Sequence, residues 1–172
     1  PSEERGPGAR RGAERPLRKD GGLMSEYFRF ARLPILLLVI FLVARLILGA
    51  TGVPYERGTW FFSMVVLTTF AAFFFGAFSR RLGGYNWKQA MLLGVTIAFS
   101  AQVMILLATL GSYVAGADTY FNHPTALNQE GPVGIGQAFG IRLFGLVVNS
   151  ILSAIWGLLG WTAGKLLPEA QA

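Results

Sequence analysis

Arg45 and Arg142 make the strongest chemical demand in this chain, because each stands inside a long apolar run that contains no acidic residue. A guanidinium stays charged at any ordinary pH and presents five N–H donors in a rigid fork. Placed at membrane depth, it must reach water, a protein acceptor or an anion. At a rise of 1.5 Å per residue, both arginines lie some ~8–9 Å below the helix ends on one side, so two cations share one depth. The ordinary expectation is snorkelling to headgroups or to the loop acids Glu56, Asp118 and Glu130. The functional alternative is an anion site for a lipid phosphate, a carboxylate substrate or an acidic residue of a partner subunit.

Other residues make weaker demands. Residues 131–140 read GPVGIGQAFG, and a helix N-terminus there would attract anions. No strand precedes this segment, however, so a nucleotide-binding loop lacks its context. Gly136 and Gly140, with Gly157, Gly160 and Gly164 further along, are expected to let helices approach closely. Uncharged polar residues form a belt near the midplane: Thr68 and Thr69, Ser100 and Gln102, then Asn149, Ser150 and Ser153. Interhelical hydrogen bonds account for such a belt. Gln102 and Asn149 are the residues on which a polar path across the membrane would depend. His123, the only histidine, follows Asp118 by five positions in a loop, which establishes no general-base dyad. With no cysteine and no intramembrane carboxylate, the sequence offers no metal ligand set, proton relay or disulfide, and it implies no cofactor.

The elements that must position these residues are four apolar runs at 33–50, 60–78, 90–114 and 138–159, in a chain of 172 residues that is 53% hydrophobic. Each has about the ~20 residues needed to cross a ~30 Å hydrocarbon core. Backbone in lipid must satisfy its own hydrogen bonds, so the runs are expected to be helices. The net charge of +6 does not indicate nucleic acid, because the basic residues gather at helix ends and in one tail. Arg29, Arg32, Arg80, Arg81, Lys88 and Lys165 all flank the runs on one side, whereas Arg57 alone occupies a loop on the other. The positive-inside rule therefore expects both termini in the cytoplasm. Tyr27, Tyr85, Trp87 and Trp161 are expected as inner interfacial anchors, with Tyr55, Trp60, Tyr113 and Tyr120 as outer ones.

Short links at 51–59 and 79–87, both containing glycine, favour antiparallel neighbours. The link at about 115–137 is long enough to need local structure or a function of its own. The first run is a nearly uniform Leu/Ile/Val surface, suited to lipid or a partner's helix. Phe70 and the phenylalanines at 73–75 give the second run a bulky aromatic region of the same kind. Residues 1–23 hold six basic and four acidic side chains with little apolar content, and are read as a disordered basic tail or an upstream extension before Met24. A cleaved signal peptide is disfavoured by Arg45 in the first run.

The sequence thus predicts an all-α integral membrane protein, with four transmembrane helices in an up-down bundle over 24–172 and both termini cytoplasmic. A bacterial-type inner (plasma) membrane is the expected location. The leading functional expectation is a non-catalytic accessory or structural subunit of a larger membrane complex, touching lipids and other membrane subunits. The alternative is a small carrier or lipid-handling protein that uses the arginines and the midplane amides.

Overall fold

The computed structural model describes residues 30–167, and the expectations for residues 1–23, Met24, Tyr27 and Arg29 lie outside them. The described residues are helical, without a strand. Helix α1 spans Arg32–Ala50, a single turn α2 spans Tyr55–Gly58, and the long helices α3, α4 and α5 span Met64–Leu82, Trp87–Ala115 and Ile135–Ala163. A 3₁₀ turn at Pro124–Leu127 lies between α4 and α5, and another at Gly164–Leu166 ends the described chain. Four helices, α1, α3, α4 and α5, are long and apolar enough to cross a membrane.

Local chemistry, more than hydropathy, sets where these helices start and stop. Helix α3 begins four residues after its apolar run, because Ser63 is its N-cap and accepts from the Val66 amide at 3.4 Å. It then continues past the run through Arg80 and Arg81. Helix α4 starts earlier than its run, with a capping box: Asn86 Oδ1 accepts from the Gln89 amide at 3.0 Å, and Gln89 Oε1 accepts from the Asn86 amide at 2.9 Å. It ends at Gly116, whose φ of 60° is left-handed and suits a residue without Cβ.

Helix α5 packs chiefly on α4 and α3, and α1 leans more lightly against the same pair. Half of the apolar window of α4 is buried against 17% for α1, which makes α4 the central helix. The α5 crossings are backbone to backbone. A Cβ on Gly160 would overlap the Phe73 carbonyl oxygen of α3, and one on Gly157 would stand 2.6 Å from the Ala90 carbonyl oxygen of α4. Gly164 meets Ala77 in the same way, at 2.7 Å. A Cβ on Gly136 or Gly140 would meet nothing within 4 Å, so the close approach expected of them does not occur among the described residues. The reason is the face they occupy: both are exposed, whereas Ala138 between them is buried against Leu127 and Val133.

The helix ends gather into two sets. At one, Trp161 Nε1 donates to the Tyr85 carbonyl at 2.7 Å and the Arg80 guanidinium lies 4.1 Å from the Trp161 ring centre. Arg81 donates to the carbonyls of Gly164 and Lys165, both at 3.0 Å, and so caps the end of α5. The opposite end holds Arg45 and Arg142 and is called the arginine end below. Of the residues expected as interfacial anchors, Tyr85 and Tyr120 are buried within the fold, whereas Trp60 is 84% exposed. Tyr120 packs on Tyr55 and Gly58, and Tyr85 on Phe30 and Gly83.

Candidate functional site

The loop between α4 and α5 is ordered by its own polar side chains. Asn122 Oδ1 accepts from the Thr119 amide at 2.8 Å, while Asn122 Nδ2 donates to the Ala117 carbonyl at 2.9 Å. The Ser112 and Thr119 hydroxyls meet at 2.7 Å, which ties the loop to α4. Phe121 and Leu127 are fully buried and anchor it among the helices. These anchors turn backbone carbonyls toward α5, where an arginine needs acceptors.

Arg142 takes them. Its Nη2 donates to the Phe121 carbonyl at 2.6 Å, its Nη1 to the Ala126 carbonyl at 3.3 Å and its Nε to Thr109 Oγ1 at 3.0 Å. Thr109, fully buried on α4, also donates to the Ile105 carbonyl at 2.8 Å. The loop acids proposed as partners, Glu56, Asp118 and Glu130, receive none of these bonds.

Arg45 is served less well. It is only 7% exposed, yet its two hydrogen bonds both leave Nη1 at 3.4 Å, to Thr59 Oγ1 and to the Phe62 carbonyl. Nε is buried without an acceptor. The Tyr55, Tyr120 and Phe121 rings stand 5.8, 5.6 and 5.5 Å from its guanidinium carbon, a cage that offsets part of the charge burial at about 0.5–2 kcal/mol per ring. Tyr120 donates to the carbonyls of Val53 and Pro54 at 2.8 and 3.1 Å. Burial raises its phenol pKa, against the lowering pull of Arg45.

Both arginines line one cavity of about 120 Å³, together with Tyr55, Thr59, Ser63 and the first residues of α3, Met64 and Val65. Phe121 joins them: its carbonyl binds Arg142 and its ring faces Arg45. Two permanent cations therefore meet beside a helix N-terminus, and every hydrogen bond they make goes to a neutral acceptor. Such an arrangement is chemically suited to hold an oxyanion.

The remaining candidates lie elsewhere. Thr68 and Ser100 donate to the carbonyls of Met64 and Thr96, four residues back in their own helices, and Asn149 does the same to Gly145. These members of the midplane belt, with Thr69, bond within their own helices, as a hydroxyl near an i−4 carbonyl can, whereas the Ser150 hydroxyl is buried without a partner among the described residues. Gln102 is buried, and neither it nor Asn149 lines the arginine cavity. His123 stacks on Tyr55 at 4.6 Å and shares an open groove with Asp118, without a hydrogen bond between them. No cluster of metal-ligating side chains exists among the described residues.

Sequence reasoning passed over Thr109, Tyr55 and Phe121 as members of the site. A signal for Thr109 was present: it lies six residues before the end of α4, about 9 Å deep, the same depth as the arginines. No family model, curated protein or solved structure shows a significant match to this chain.

Proposed function

We propose that this chain is a non-enzymatic integral membrane protein that holds an anionic group between Arg45 and Arg142, in a carrier or lipid-handling role. In this reading the helices form an up-down bundle in a bacterial-type inner membrane, with both termini cytoplasmic and the arginine end outward. The observation that carries it is the shared cavity, where two guanidiniums meet and bond only to neutral acceptors.

The test is native mass spectrometry of the full chain released from neutral detergent. A bound anionic species is expected on the wild type and absent from Arg45→Leu and Arg142→Leu; identical adducts on all three would sink the reading. A second reading, an accessory subunit of a larger complex, is favoured by α1, which buries only Pro34, Leu38 and Arg45. The same spectra bear on it, because a subunit carries partner chains after gentle extraction and a lone monomer would count against it.

A further inference from the structure

Resting on the anion reading, we propose that the occupant is an anionic phospholipid, with its phosphate between Arg45 and Arg142 and an acyl chain along a groove between α1 and α3. The polar half of this site is built. Arg45 is more than nine-tenths buried and its Nε lacks an acceptor, while its two hydrogen bonds among the described residues both leave Nη1. Met64 and Val65, the first residues of α3, line the same cavity, and amides at these positions have no intrahelical acceptor. Thr59 and Ser63 add hydroxyls. A volume of about 120 Å³ has room for one phosphate group and none for a whole lipid.

What distinguishes a lipid from a free oxyanion is the neighbouring groove. It measures about 240 Å³ and is lined by Phe41, Phe61, Leu67 and Phe70 among others. Ser63 lines both spaces. The link is repeated on α1, where Phe41 precedes Arg45 by one turn and packs at 5.3 Å on Phe62, whose carbonyl accepts from Arg45. From Ser63 to Phe70 the groove descends about 10 Å along α3, away from the helix end and toward the middle of the span. Charge above and aromatic surface below follow the order of a phospholipid in that leaflet. The net positive charge of the cavity selects a headgroup with net negative charge over a zwitterionic one.

The experiment titrates the full-length chain in neutral detergent with phosphatidylglycerol, with phosphatidylcholine of the same chains, and with inorganic phosphate, reading occupancy by native mass spectrometry and protection by thermal shift. Phosphatidylglycerol is expected to bind at least tenfold tighter than phosphatidylcholine. Arg45→Lys and Arg142→Leu should each erase that preference. Phe70→Ala, at an exposed position, should weaken phosphatidylglycerol several-fold and leave protection by inorganic phosphate unchanged. Equal binding of the two lipids, alongside arginine-dependent protection by inorganic phosphate, overturns the lipid assignment and leaves the anion reading standing. No response to any of the three overturns both. If the arginine variants fail to fold, the lipid comparison on the wild type and the Phe70→Ala result still decide.

Discussion

Replacing Gly160 with alanine tests the packing that holds α5, and with it Arg142, in place. A Cβ there overlaps the Phe73 carbonyl oxygen, with the Phe73 Cα at 3.0 Å. Backbone cannot swing aside as a side chain can, so α3 and α5 must separate or α5 must turn. Overpacking of this kind costs roughly 1–3 kcal/mol, and the rigid obstacle places Gly160→Ala toward the upper part of that range. Gly157→Ala and Gly164→Ala should cost less, because their Cβ atoms would stand 2.6 and 2.7 Å from carbonyl oxygens, closer to the 3.0 Å that real contacts tolerate. Gly140→Ala reverses the sign. Nothing lies within 4 Å of it, and a helix interior gains up to about 1 kcal/mol when alanine replaces glycine. Thermal unfolding of the purified chain in neutral detergent reads the series, since each kcal/mol shifts Tm by about 2–4 °C at this chain length. Gly160→Ala is expected to melt several degrees below wild type and Gly140→Ala at or above it. If the two melted together, the backbone crossing would be refuted.

Thr109→Val removes the acceptor for Arg142 Nε and should cost about 1–3 kcal/mol, well above the same change at Thr69, whose exposed hydroxyl bonds only its own helix. Equal losses in chemical unfolding would contradict a special role for Thr109. Asn86→Ala breaks the capping box of α4 and should lower stability by about 0.5–2 kcal/mol; an unchanged melting curve would argue against that cap. Tyr120 binds its proton more tightly folded than unfolded, because burial raises its pKa above 10.0. Its contribution is whole below pH 10.0 and is lost as pH climbs through the raised value, so Tyr120→Phe should flatten the alkaline limb of the stability profile. A limb identical to wild type would show that Tyr120 does not set it.

Much of this architecture was legible in the sequence because hydropathy belongs to residues one at a time. The four spans follow from composition, and glycines at 157, 160 and 164 fall on one face at spacings of three and four. What those glycines meet was not legible. Their partners are carbonyl oxygens of Phe73, Ala77 and Ala90, and every residue carries a carbonyl. Arg142 poses the same difficulty: the sequence shows acids in the loops, but the loop fold turns the neutral carbonyls of Phe121 and Ala126 to it. The shared depth of Arg45 and Arg142 was visible by counting residues. Their meeting in one cavity depends on a loop whose anchor, Phe121, reads in sequence as one more aromatic residue.

The two ends of α5 are held by guanidinium groups bound to carbonyls. Near its start Arg142 grips the loop, and beyond its finish Arg81 grips Gly164 and Lys165. Sliding this helix by one 5.4 Å turn would break both grips at once and drive the glycine face off its crossings. Helix α1, with three buried residues, has little to lose by shifting. Of the two arginines lining the cavity, Arg142 therefore sits on a firmly held helix and Arg45, whose Nε has no acceptor, on a lightly held one. Displacements that change the spacing of the two arginines are expected at α1, so a spectroscopic label on α1 should report them more strongly than one on α5.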